Sequence, residues 1–159
     1  MSWQDEVEKF AAGGTVPAKL IDGLSHADLM ATPVSGKWSL QTLVSHLLDS
    51  DLIATHRMKR VVAEEKPLLL SYDEDAFAAK LGYEHQNIRT VVELFRINRE
   101  HTAEFLRRLP EAAFARPGVH NQRGLVTLGE FVKLYTHHVE HHMTFAREKL
   151  KALGKPVRV

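Results

Sequence analysis

The chain has 159 residues, 44% of them hydrophobic, which is enough to enclose a core and fits a single domain spanning residues 1–159. Its 21 basic and 20 acidic side chains are interspersed and leave a formal net charge of +1, so there is no electrostatic footprint for nucleic acid or an anionic membrane. With no cysteine, no basic-then-apolar leader in residues 1–30 and no run approaching about 18 apolar residues, the chain is expected to be cytoplasmic, without disulfides or thiolate ligands.

Strand signals are poor and four segments repeat apolar residues with a period near 3.6, which predicts an all-α four-helix bundle. The first segment runs from Trp3 to Leu24, interrupted at Gly13-Gly14 and restarted where Pro17 suits a first helical turn. Ser25-His-Ala-Asp28 reads as a capped short helix, and Pro33 to Lys37 as a turn-rich connection. Ser39 caps a second helix with Leu40, Leu43, Leu47, Ala54, Met58 and Val61 on one stripe, ended by Lys66-Pro67. A long connection from Pro67 to Tyr83 follows, with a helical turn expected in Tyr72–Phe77. The third helix is predicted over Glu84–Leu109, stopped by Pro110, and Gly118–Gly124 is read as loop. Thr127-Leu-Gly-Glu130 has the spacing of a capping box and opens a fourth helix that continues through Leu153.

That fourth helix contains Tyr135-Thr-His-His-Val-Glu-His-His-Met143, two overlapping histidine pairs at i, i+4. One turn brings such a pair to the same face, where both imidazoles can reach one ion. At about 100° per residue, Phe131, Tyr135, His142 and Phe145 fall within roughly 60° of His138, with Leu134 close by. These are taken as core positions, so His138 and His142 face inward and His137 and His141 lie at the charged border. The rival register, His137-His-Val-Glu-His141, fits the inverted zinc-protease signature H-x-x-E-H. That chemistry needs a further carboxylate ligand well downstream, and only 18 residues follow His141.

An open catalytic site normally has three protein ligands. Of ten histidines, His46 is the candidate third, one turn into the second helix with Asp49 three residues on. It lies about 100° from the centre of its own stripe, so the residues alone leave open an exposed or hydrogen-bonded histidine instead. Asp49 is a candidate for orienting an imidazole or accepting a proton, against a solvated carboxylate. Arg99 is a candidate clamp for an anionic substrate group, against a pairing with Glu on a bundle face. Tyr72 and His120 are candidates for the mouth of the site, and Trp38 is expected to anchor the second helix in the core.

Gly36-Lys-Trp-Ser-Leu-Gln-Thr-Leu-Val-Ser-His46-Leu-Leu-Asp49, the Tyr72–Phe77 segment, Arg99 and Tyr135-Thr-His-His138 with His142 together resemble the DinB-like superfamily, nearest its YfiT branch, from about Gly36 to Leu150. The resemblance implies an up-down-down-up bundle, often dimeric, with a divalent metal held by three histidines. The family's helix-two ligand matches His46, and its H-x-x-x-H pair matches His138 and His142. Members include bacillithiol transferases, a mycothiol-dependent isomerase and proteins described as metal-dependent hydrolases, so the resemblance specifies the site better than the reaction.

One divalent ion per chain is therefore expected, zinc or nickel, with iron or manganese as alternatives, since imidazoles alone do not choose among them. The expected activity is transfer of an external low-molecular-weight thiol to an electrophilic small molecule. The alternatives are hydrolysis by metal-bound hydroxide and a non-catalytic metal- or small-molecule-binding bundle. No Cys and no G-x-S-x-G elbow is present to supply a covalent nucleophile. The expected partner is a small-molecule substrate, and a homodimer is expected through Phe10, Val16, Leu20 and Leu24 of the first segment.

Overall fold

In the computed structural model, which describes residues 2–158, the periodic segments become helices whose ends are set by local capping. Helix α1 spans Trp3–Ala12, a 3-10 turn covers Gly13–Thr15, and α2 covers Val16–Ile21 with Pro17 in its first turn. Ser25 and Asp28 form a reciprocal capping box at α3, His26–Met30. Ser39 Oγ accepts from the Thr42 amide at 3.1 Å and opens α4, Leu40–Ala63. At the other end of the chain, Thr127 Oγ1 accepts from the Glu130 amide at 3.2 Å while Glu130 accepts from the Thr127 amide at 2.7 Å. Those two bonds answer orphan donors at the start of α7, Leu128–Ala152.

Three boundaries differ from expectation. The turn in the long connection is a longer helix, α5, Glu74–Lys80, because Asp73 Oδ1 caps it through the Ala76 amide at 2.9 Å. The third long helix, α6, runs Ile88–Arg107 and starts four residues later than Glu84. Gly82 at φ 63° and a 3-10 turn over Tyr83–His85 separate it from the connection, and Asn87 caps it by accepting from the amides of Arg89 and Thr90. The Gly118–Gly124 stretch belongs to a small sheet. Strand β1, Leu68–Leu69, pairs parallel with β2, Pro117–His120, and β2 pairs antiparallel with β3, Gly124–Thr127, in the register Pro117↔Thr127 to His120↔Gly124. Pro and Gly in strands this short hide the alternation that announces a strand. Gly118 is required there, since a Cβ would stand 2.7 Å from Leu69 Cδ1 and 3.0 Å from Val61 Cγ2.

The fold is an all-α, up-down-down-up four-helix bundle with this sheet as a minor addition. Helix α4 packs against α6 and α7, and α1 packs against the same two, so α1 and α4 stand diagonally across the bundle. Two apolar clusters fill it. One gathers Phe10, Met58, Leu106, Phe114 and Phe131, and the other gathers Leu43, Leu47, Phe95, Met143 and Leu150. The apolar residues proposed for a dimer face are used within the chain: Phe10 and Leu20 are buried, and Val16 and Leu24 pack against the core. Among the described residues no helix is long and apolar enough to cross a membrane.

Between the clusters lies a polar knot. Arg99, 1% exposed, donates from Nε (3.0 Å) and Nη2 (2.8 Å) to Asp51 Oδ1, from Nη1 to the Phe10 carbonyl and from Nη2 to the Tyr135 carbonyl. Its guanidinium also faces the rings of Phe10 and Phe95 at 4.4 and 4.8 Å. Asn98 donates to Asp51 Oδ2 and to Thr55, and the hydroxyls of Thr55 and Thr102 share a 2.8 Å bond. Arg99 is thus neither a clamp open to substrate nor a partner of a surface Glu: its charge is met inside the core.

Candidate metal centre

The inward face of α7 is shared between core and site. Leu128, Val132, Val139, Met143, Ala146 and Leu150 are buried, and they lie between roughly 80° and 140° from His138 on the helix. The stripe centred on His138 is therefore the flank of the core and not its middle, which corrects the assignment of those positions. Phe131 and Tyr135 are buried, whereas Leu134, His138, His142 and Phe145 are half-buried. The register at the edge of the core still turns His138 and His142 toward α4. His137 is exposed and pairs with Glu140 at 3.2 Å, and His141 is exposed, so the H-x-x-E-H register points to solvent.

His46 is fully buried, although it stands aside from its own apolar stripe. Its cover comes from other elements. The ring of Trp38 lies 5.0 Å away at 54°, and Tyr72 Oη lies 3.5 Å from Nδ1. Trp38, half-buried, is a lid on His46 and not a core anchor. The ring of His46 is 5.3 Å from that of His138 and 4.9 Å from that of His142, and each histidine of the three offers a ring nitrogen within 4.8 Å of the other two.

His138 Nε2 and His142 Nε2 are 3.0 Å apart. Two nitrogens at about 2.0–2.1 Å from one tetrahedral ion stand about 3.3 Å apart, so this separation suits a shared ion. A direct imidazole–imidazole hydrogen bond gives the same distance, but it leaves His46 Nε2 unexplained, because that atom is buried with no hydrogen-bond partner. Burial pushes His46 down to about 4, with the charge of Asp75 acting the other way. Burial first, and neighbouring imidazoles second, push His138 and His142 to about 3. All three rings are therefore neutral near pH 7, the form that ligates. Neutral nitrogens converging around an orphaned buried donor set fit a divalent ion.

Two cavities flank the cluster. One, of about 370 Å³, is lined by His138 together with Ser50, Arg57, Tyr72, His120 and Tyr135. The other, of about 230 Å³, is lined by His142, Trp38, Phe145 and Lys149. Tyr72 and His120 thus both reach the site. Burial pushes the Tyr72 hydroxyl up to about 12, so it keeps its proton and is available to orient His46. Asp49 does not touch the rings. Its Oδ2 accepts from Tyr83 Oη at 2.6 Å, and burial, together with that bond, raises the tyrosine well above its ordinary value.

Two residues of the site escaped the sequence reading. Glu74, at the start of α5, places Oε2 3.7 Å from His46 Nε2; it lies in the Tyr72–Phe77 segment that carries the family resemblance, but no periodicity ties that connection to the ring. Arg57 follows His46 by eleven residues, about three helical turns, and so shares its face of α4. That spacing was a usable signal.

Residues 15–146 match the model of the DinB superfamily. A protein of Oceanobacillus iheyensis named "Putative metal-dependent hydrolase" is 28% identical over 143 residues, 89% of this chain and 80% of the relative. YfiT of Bacillus subtilis, given the same description, is 27% identical over 143 residues, covering 87% and 80%. The solved structure of YfiT superimposes with a TM-score of 0.83 at 23% identity, covering 97% of this chain and 87% of that one. A mycothiol-dependent maleylpyruvate isomerase shares the fold with a TM-score of 0.71 at 13% identity, over 92% of this chain and 60% of the isomerase.

Proposed function

This chain belongs to the DinB superfamily, and from that membership we propose that it is a divalent-metal-dependent enzyme that transfers a low-molecular-weight thiol to an electrophilic small molecule. His46, His138 and His142 are the proposed ligands, for zinc or nickel, with iron or manganese as alternatives. A divalent ion held by three neutral imidazoles supplies Lewis acidity and lowers the pKa of a thiol or water brought to it.

The observation that carries the transfer reading is the pair of cavities flanking the cluster, one against His138 and the other against His142, which offers separate places for a thiol and an acceptor. The chain has no cysteine, so the nucleophilic sulfur comes from outside. In the transfer, the thiol loses its proton, its sulfur electron pair forms the new C–S bond, and the acceptor's leaving group departs with the pair that bound it. Tyr72 orients His46 through Nδ1, and Trp38 keeps water from its ring. Glu74, more than half exposed and beside His46 Nε2, is placed to pass the released proton to solvent.

The second reading is hydrolysis with water in the thiol's place, favoured by the description that the relatives carry. The deciding experiment incubates metal-loaded protein with an electrophilic aryl halide, with and without bacillithiol, mycothiol or glutathione, and reads conjugate by mass spectrometry. Conjugation with one of these thiols, lost in His142→Ala, is the expected result. Conjugation unchanged in His142→Ala overturns the mechanism, and metal-dependent ester cleavage without thiol selects the hydrolase. The homodimer remains part of the proposal, and light scattering that gives the mass of one chain removes it.

A further inference from the structure

Arg57 is 6% exposed and lines the larger cavity together with His138. Its Nη1 donates to Tyr135 Oη at 2.8 Å and its Nη2 to the Leu70 carbonyl, both neutral acceptors, while Nε is buried without a partner. Among the described residues no carboxylate forms an ion pair with it. The buried carboxylate of the same helix, Asp51, is committed to Arg99 and Asn98. Holding a cation away from water without a counter-ion is unfavourable, and two neutral acceptors do not require a guanidinium.

The surroundings add donors to the same end of the cavity. Arg123 lines it, as does His120, which is 5% exposed. His120 Nδ1 accepts from the Gln122 amide at 3.2 Å, so the neutral ring carries its proton on Nε2. The carboxylates that share the cavity have other neighbours and neither pairs with Arg57: Asp73 caps α5, and Glu74 sits beside His46.

We infer that this end of the cavity is a subsite for the carboxylate of a small-molecule substrate, with Arg57 as its buried counter-ion. A planar carboxylate suits the guanidinium, whose Nη1 and Nη2 each keep a second N–H beyond the bonds to Tyr135 and Leu70. An acid bound there extends toward His138, which makes the acceptor in the proposed transfer an anionic compound. The inference rests on that reading only for the chemistry at the far end of the molecule, since the subsite itself needs no metal.

The test uses benzoate and its neutral isostere benzamide at constant ionic strength, with binding followed by amide chemical shifts and by melting temperature. It is run on zinc-loaded and chelated wild type, on His142→Ala, and on Arg57→Gln and Arg57→Lys. Benzoate should bind wild type with or without zinc, and His142→Ala as well, while benzamide should not. Arg57→Gln should weaken benzoate by about tenfold or more, and Arg57→Lys should recover part of the loss. Should Arg57→Gln fail to fold, the benzoate–benzamide comparison in wild type and the Arg57→Lys variant decide the matter.

Equal binding of the two probes, benzoate affinity unchanged in Arg57→Gln, or benzoate binding that vanishes on chelation overturns the inference. So does the absence of binding by benzoate, acetate and succinate up to about 20 mM. A protein that takes up no zinc yet binds benzoate refutes the metal reading and leaves the subsite standing. Zinc uptake without carboxylate binding does the reverse.

Discussion

The two buried arginines stand in opposite settings. Arg99, between the apolar clusters, meets a carboxylate, two carbonyls and two aromatic faces. Arg57, on the cavity wall, meets only neutral oxygens and keeps an unpaired Nε. The same contrast extends to their neighbours, since Asp51, Asn98 and the two threonines are bonded to one another while His46 Nε2 is buried without a partner. Completed polar networks belong to the architecture. Buried groups left incomplete point to what the protein holds besides itself.

The strongest way to break this comparison is to cut the knot. Asp51→Ala leaves the Arg99 guanidinium in the core without its counter-charge, and a loss of about 3–5 kcal/mol is expected by urea denaturation. A loss below about 1 kcal/mol would show that the knot is not structural. Next in size is the effect of metal on the other region. Zinc at about 100 times its dissociation constant should stabilise wild type by about 2.7 kcal/mol and should do nothing for His46→Ala, as melting curves with and without zinc will show.

The effect of pH on the metal-free protein comes third, read per pH unit and per ring. The three site histidines are held near 4, 3 and 3 when folded and titrate near 6.5 when unfolded, so the unfolded chain binds more protons between those values. Stability should be complete above about pH 6.5 and fall as the pH drops toward 4, by at most on the order of 1 kcal/mol per pH unit for each ring. The slope should flatten in His138→Ala, and an unchanged slope would assign the acid sensitivity elsewhere. The smallest effect is expected at Arg57: Arg57→Met should cost at least about 2 kcal/mol less than Arg99→Met, because no buried carboxylate is stranded by it. Equal costs in denaturant titrations would erase the distinction drawn between the two arginines.

The bundle was legible because helix periods and caps are local. Ser39, Thr127 and Glu130 mark helix starts by chemistry within four residues. His138 and His142 were legible for the same reason, one turn apart on a single helix. His46 was not, since its burial is created by Trp38 and Tyr72 from outside α4, and its apolar stripe points elsewhere. The resemblance to the family selected it. Arg99 looked like a surface or substrate-facing charge because its partner lies 48 positions away. The sheet was missed because two to four residues carrying Pro and Gly have no period to read.

The central claim, that three histidines from two helices hold one divalent ion, is tested most directly by elemental analysis of purified variants. Wild type, His137→Ala and His141→Ala should each carry close to one ion per chain, and His46→Ala, His138→Ala and His142→Ala should carry none. Metal lost from the His137 and His141 variants but retained by the other three would contradict the account.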